Sequence, residues 1–536
     1  MGYKAQAHRR NILPSGPIPP NVNSTLCPQW DALTPTQNAK LDADLESMYA
    51  SEAFKLHTYG LLSGAVRIPT ESHDDSGPIG VDPVWKPFAA FHKFLEQSFP
   101  LVYSELNVTK VNTYGLVFQW KGSTDAKPFL LTAHQDVVPV DPSSLSEWIH
   151  PPYSGDYDGT WIWGRGTCDD KGEIIERLVT VDSLLRRGFY PRRTLVLAFG
   201  FDEETTGLEG AAHITKYLED TYGRDGFAML LDEGGDFGDG VYFASPSVSE
   251  KGYMDVRVEV TSPGGHSSIP PEHTSIGFLS HFINAIEDHP HVPQLLRSGT
   301  PFTAAMCLAE YSPSFPPKLR AIARNAASDD TALNQLKAGL LELSPIMKAM
   351  LGTTQAVDIV EGGVKVNALP ERAFTVINHR IGEHSSVGQL QQHLIAVLSP
   401  VAMNYDLTLN AFGRVVSEGR AGVVTLSDAF DSSLEPSPVT PFGYGPYSIL
   451  GGSIKATLQS SEHYNTTSVV VTPSLSLDTM HYWNLTKHIF RFSPAAVSDH
   501  YNGEHTVNEA LRATAMIEAI RFYTKLILNV DESELC

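Results

Sequence analysis

LTAHQDVVPV, residues 131–140, decides the reading of this chain. Its apolar, β-branched start has the character of a buried strand, and the run ends abruptly in His134 and Asp136. Residues two apart on a strand share a face, so imidazole and carboxylate are expected to be neighbours at its tip. Taken alone, such a pair is an ordinary solvated strand end. Repetition gives it weight. RTLVLAFGFDEETTG (193–207) ends in Asp202, Glu203 and Glu204, AMLLDEGGD (228–236) ends in Asp232 and Glu233, and WGRGTCDDKGE (163–173) presents Asp169 and Asp170 after a glycine turn.

Ligands of open α/β sheets bind at the carboxyl ends of the strands. Adjacent carboxylates there repel one another unless a cation joins them. Oxygen and imidazole donors suit zinc, whose catalytic sites keep a position open for water. A carboxylate two residues from a ligating histidine can accept its second ring N–H, which gives His134 and Asp136 separate tasks. Four strand ends converging in this way also allow two ions about 3.5–4 Å apart with one shared ligand. Other chemistries lack their motifs. There is no HExxH, no GxSxG and no GxxxxGK[ST], and GRGTCD (164–169) breaks the GxGxxG pattern of dinucleotide loops.

The 536 residues carry a net charge of −22, with 42% hydrophobic and 19% charged residues. That is a globular composition, too long for one ordinary core. With no cluster of basic residues, nucleic acid and anionic membrane surfaces are poor partners. No apolar run approaches the ~20 residues that span a bilayer, and the N-terminus has basic residues without an apolar signal region. Cys27, Cys168, Cys307 and Cys536 are too scattered for a zinc ribbon or a disulfide scaffold. Sequons at Asn23, Asn107, Asn465 and Asn484 point towards a vacuolar, lysosome-like or secretory compartment.

Helical and strand signals alternate from about 40 to 250, and the pattern then changes. KGYMDVRVEVTS (251–262) alternates as a half-exposed strand, and SIGFLSHFINAIEDHP (275–290) follows as an amphipathic helix. After a helical stretch near 293–350 come two strands around a turn, a helix and the strand YDLTLNAFG (405–413). Strand, helix, strand, strand, helix, strand is the split βαβ, ferredoxin-like pattern of a small α+β domain. The expected organisation is a polar, Pro-rich segment over 1–40, an α/β catalytic domain in two parts (41–252 and 415–536), and an inserted α+β lid or dimerisation domain over 253–414.

In order, LTAHQDVVPV, WGRGTCDDKG, FGFDEETTG, LLDEGG and SPGGHSSIPP resemble the motifs of the dinuclear zinc exopeptidase family that includes carboxypeptidase G, aminoacylase and succinyl-diaminopimelate desuccinylase. PGGHSSIPPEHTSIG, DTMHYWNLTKHIFRFSP and GEHTVNEAL resemble its carboxypeptidase S, or Gly-Xaa carboxypeptidase, branch from about residue 45 onward. The resemblance implies a mixed α/β sheet with helices on both faces and two Zn2+ per chain. His134 and Glu233 would bind one ion, Glu204 and His505 the other, and Asp169 both. The local sequence leaves Asp232 and Glu233 open as ligands, and the resemblance favours Glu233. It further implies Asp136 as the group orienting His134, Glu203 as general base, and His266 as oxyanion donor from a partner subunit or a closing domain. Arg380 and Asn367 would bind the substrate carboxylate. Met480 stands where relatives commonly carry Arg or Lys, with Arg491 nearby, and Cys168 beside Asp169 reads as packing. The implied activity is hydrolysis of the C-terminal amide bond of short peptides with penultimate Gly. Alternatives are an N-acyl amino acid amidohydrolase and an inactive binding protein on this fold. A homodimer through the inserted domain is also implied.

Overall fold

The computed structural model describes residues 27–235, 242–476 and 480–535. Asn23 and Cys536 therefore lie outside the described residues. Short apolar runs become strands of an eight-stranded sheet in the order 107–111, 115–120, 195–200, 129–134, 229–232, 489–491, 247–250, 474–476. Its centre is parallel: Phe129–His134 pairs with Leu195–Gly200 on one side and Met229–Asp232 on the other. His134 stands opposite Gly200, and Leu131 stands opposite Leu231. Three acidic strand ends therefore open at one edge of the sheet.

Alternate residues of these strands feed two cores. Leu131, Leu197 and Phe199 pack under the helices Lys171–Arg186, Pro446–Gln459 and Ala513–Glu532. Leu130, Val196 and Ala198 pack with Ile214 and Leu218 of Ala211–Tyr222. The chain is thus α/β, with helices covering both faces. Lys171–Arg186 stops just before Gly188, whose φ of +73° suits a glycine after a helix end.

The six-stranded second sheet has the order 354–362, 372–381, 252–261, 422–428, 407–411, 414–417. Gly252–Thr261 alternates buried and part-exposed residues as its sequence predicts. Ser275–Asp288 and Val387–Asn404 cover the buried face, where Val256, Val258, Phe282 and Leu394 meet. The sheet extends past residue 414. Gly422–Asp428 takes the place beside Gly252–Thr261, and Leu407–Ala411 lies outside it in parallel. Residues 300–350 form four helices with a small core of their own around Phe302, Leu336 and Leu340. Cys307 of this helical insert forms a disulfide with Cys27, a pairing across 280 residues that the cysteine spacing did not indicate.

Candidate metal centre

His134 ends its strand with the side chain only 2% exposed. Its Nε2 lies 2.8 Å from Asp169 Oδ1, 3.3 Å from Glu233 Oε1 and 3.9 Å from Glu203 Oε2. Its other ring nitrogen faces Asp136 Oδ1 at 3.2 Å, the neighbour relation expected of i and i+2. His505 approaches from the far end of the chain at φ +60°, with Nε2 2.9 Å from Asp169 Oδ2 and 3.0 Å from Glu204 Oε2. Asp169 thus meets the two imidazoles with its two oxygens.

Asp136 does more than face His134. Its carboxylate accepts the backbone N–H groups of Glu203 and Glu204, both at 3.1 Å, and the Ser72 hydroxyl at 2.8 Å. One buried side chain therefore sets both the ring of His134 and the Glu203–Glu204 turn. Asp202 turns away and accepts from Glu209 N and Gly210 N, each at 2.7 Å. Asp232 accepts the Thr132 hydroxyl at 2.7 Å, so Glu233, not Asp232, approaches His134. Asp169 and Asp170 are not on a strand end. They occupy the turn after Trp161–Trp163, a strand of a separate small sheet, just before the helix Lys171–Arg186.

The electrostatics follow from crowding. Burial lowers the pKa of His134, but the carboxylates of Glu233, Asp136 and Asp169 outweigh it and hold the imidazole well above its usual range. His505 is raised to about 10 by its bonds to Asp169 and Glu204. Burial pushes Glu203 well up, with Glu233, Asp169 and Asp136 adding to it against the pull of His134. Burial likewise raises Glu233, to about 7. Six carboxyl groups (Asp136, Asp169, Asp170, Glu203, Glu204, Glu233) share this space with two imidazoles. Glu204 Oε1 and Asp170 Oδ1 are buried without a hydrogen-bond partner. His134, Asp169 and Glu204, and also His134, Asp170 and Glu233, offer donor atoms within 4.8 Å of one another. Orphaned carboxylate oxygens beside imidazoles, in sets of this spacing, fit a zinc ion.

The centre lies between two cavities that share Glu203 and Glu233. One, of about 240 Å³, runs past Thr206 and Tyr482 to Tyr253, Asn378, Arg380 and Met480. Arg380 and Asn378 reach it from alternate positions of Arg372–Ile381 in the second sheet. The other, of about 400 Å³, is bounded by Cys168, Arg491, Ser493, His500 and Glu504. Cys168 thus touches the site, though burial pushes its thiol pKa well up. His266 and Asn367 do not line the first cavity. They sit together on an exposed pairing, Gly265–His266 against Ala368–Leu369, with Ser267 N–H donating to Asn367 O at 3.4 Å.

A family model described as Peptidase family M20/M25/M40 matches residues 130–529. The chain belongs to this family. It is a hydrolase of peptide bonds. Its M20 relatives include carboxypeptidase S of Saccharomyces cerevisiae, 36% identical over 95% of this chain and 90% of that protein. They also include the N-fatty-acyl-amino acid synthase/hydrolase PM20D1 of Homo sapiens, 32% identical over 88% of each. The M20 metallo-carboxypeptidase Sso-CP2 of Sulfolobus solfataricus shares the fold at a TM-score of 0.58 and 17% identity, over 89% of this chain and 99% of that one.

Several residues that shape the M20 centre were given no role at the metal centre by the sequence. Glu509 accepts from Gly166 N and Cys168 N at 2.9 and 3.0 Å and pairs with Arg165, tying the His505 loop to the loop that carries Asp169. It lies within the quoted GEHTVNEAL, four residues after His505, but nothing in that spacing names its partner. Asp170 is fully buried and accepts His134 N–H at 3.2 Å. Ser72, Arg491 and Ser493 also touch the site through contacts that only the fold makes.

Proposed function

We propose that this M20 hydrolase is a two-zinc metallocarboxypeptidase that removes the C-terminal residue of short peptides, with Gly preferred before it. The observation that carries the reading is Asp169, whose two oxygens face His134 and His505 at 2.8 and 2.9 Å beside Glu203, a residue that also lines the cavity reaching Arg380. His134 and Glu233 would hold one ion and Glu204 and His505 the other, with Asp169 serving both, and Asp136 orients His134. Bound zinc supplies a Lewis acid and acidifies water near neutral pH. Glu203 takes the proton and returns it to the leaving amine, a task suited to a carboxyl whose pKa is pushed up. Arg380 presents a fork of donors to the substrate's terminal carboxylate, with Asn367 as a polar companion delivered by the exposed pairing it shares with His266.

His266 donates to the carbonyl oxygen as negative charge builds there. Its exposure supports delivery by a second copy or by closure of residues 253–414. Apolar Ile269, Val360, Val364 and Val366 are exposed around it, which supports a homodimer through this unit. Vacuolar or secretory-lumen residence is supported by the Cys27–Cys307 disulfide and by the exposed sequons at Asn107 and Asn465. No helix among the described residues is long and apolar enough to cross a membrane.

A second reading, hydrolysis of N-acyl amino acids, is favoured by the likeness to the fatty-acyl-amino acid hydrolase. Rates on an N-blocked Gly-Leu peptide and on an N-fatty-acyl leucine separate the two. The first substrate is expected to be turned over, and activity on the second alone would reverse the choice. Glu203→Gln is expected to lower kcat by about 10²–10⁴-fold with zinc retained, and undiminished activity would remove the base.

A further inference from the structure

We infer that Arg491 and Ser493 are positioning residues that select Glu233, rather than its neighbour Asp232, for the metal centre and hold it there. This inference rests on the two-zinc reading above. The chain offers two adjacent carboxylates, and backbone geometry decides between them. Asp232 is the last residue of its strand, with its carboxylate taken by Thr132. Beyond it the chain turns through Gly234 and Gly235, at φ +84° and +71°.

The segment beginning at Arg491 pins this whole turn. Phe492 N–H donates to Asp232 O at 3.2 Å, and Arg491 Nε–H donates to Glu233 O at 2.7 Å. Gly234 N–H donates to Ser493 Oγ at 3.0 Å, and Ser493 N–H to Gly235 O at 2.7 Å. The guanidinium also lies over Gly234, where a Cβ would stand 3.2 Å from Arg491 Nε, and its Nη2 is 3.9 Å from Glu233 Oε1. Gly234 is favoured by its φ, and Gly235, where a Cβ would stand 2.7 Å from the Arg491 carbonyl oxygen, by close approach as well.

Ser493 can accept from Gly234 because its own proton has a destination, the Glu173 carboxylate. Glu173 is in turn fixed by the Tyr523 hydroxyl at 2.8 Å and by Arg177, which is fully buried. The turn that aims Glu233 at His134 is thus anchored to the helix core, not to solvent. Ser493 acts on the backbone of the turn, and Arg491 on both that backbone and the Glu233 carboxylate, so both act on the reaction through Glu233.

The test is a zinc titration of the full chain against a chromophoric chelator, paired with the absorption spectrum of the cobalt-substituted protein. Ser493→Ala removes the acceptor for Gly234 N–H, and Arg491→Met removes the donor to Glu233 O. Each is expected to weaken one of the two zinc ions about 10–100-fold while leaving the other, to alter the cobalt spectrum, and to be rescued in part by Ser493→Thr or Arg491→Lys. In a Glu233→Gln background, Ser493→Ala is expected to add no further loss. If Arg491→Met fails to fold, the Ser493 series carries the test alone. Two zinc ions held as tightly as in the wild type, or an equal loss in the Glu233→Gln background, would overturn the inference. A wild-type chain that binds no zinc would instead overturn the reading on which it rests.

Discussion

Two buried polar clusters meet the central strand, one at Thr132 and one at His134, and they are built on opposite plans. Around Arg177, cation and anion are matched. Its guanidinium donates to Glu173, to the Thr132 carbonyl and to the Tyr523 hydroxyl, and Glu173 also receives Ser493 and Tyr523. Around His134, six carboxyl groups converge on two imidazoles, and two of their oxygens are left buried without partners. Burying unpaired charge is costly. Arg177 Nε also lacks a partner, yet a fold that pairs one cluster's charges internally and leaves the other short of positive charge suits that place to a cation from outside.

The sharpest way to break the comparison is to remove that cation. Exhaustive chelation is expected to abolish hydrolysis and to lower Tm, and zinc at about 1,000 times its Kd to restore about 4 kcal/mol of stability. Differential scanning calorimetry with and without chelator measures it. An unchanged Tm would mean that the acidic cluster is satisfied without metal.

The matched cluster should respond to loss of its internal cation instead. Arg177→Met leaves Glu173 buried and unpaired, which is expected to cost about 3–5 kcal/mol. Urea unfolding reads the loss, and the zinc content of the fraction that remains folded tells whether the damage reaches Glu233 through Ser493.

What the sequence shows of these two clusters differs for the same reason. The candidate metal-binding set was legible because its residues stand at the ends of apolar runs, where a carboxylate has no local explanation: His134, Glu203 and Glu204 read this way, as did the Asp232–Glu233 pair, between which only the family resemblance chose. Asp169 was legible as a residue but misplaced, since a turn before a helix and a strand end look alike in WGRGTCDDKGE. The matched cluster was silent. Glu173 and Arg177 are an ordinary i, i+4 pair on a helix, and nothing local announces Ser493 and Tyr523, which lie 320 and 350 residues from Glu173. The second sheet was read in its strands but not in its end, because GVVTLSD (422–428) joins it through pairing with the distant residues 256–261 and in parallel with 407–411.

Away from both clusters, the Cys27–Cys307 bond ties the chain's start to the helical insert. Replacing both cysteines with serine is expected to cost about 2–4 kcal/mol while leaving zinc content and kcat unchanged. Paired thermal melts and metal analysis check both halves. A drop in zinc content would show that the tether also supports the centre.

The smallest effect comes from histidines that lack what His134 has. His379 is fully buried in the second sheet's core, with Nδ1 3.1 Å from the Ile377 carbonyl and the rings of His291 and His393 as neighbours on that side. No carboxylate answers the burial, which together with the charge on His393 lowers its pKa to about 4. Where Glu233 and Asp169 raise an imidazole, this environment depresses one. The folded state then binds fewer protons than the unfolded chain. Stability conferred above the ordinary value of about 6.5 is lost as pH falls towards 4, amounting to about 2 kcal/mol at pH 5. His379→Gln is expected to flatten the fall in urea midpoint between pH 7.5 and pH 5, whatever its effect at neutral pH. An unchanged slope would assign the acid sensitivity of this sheet to groups other than His379.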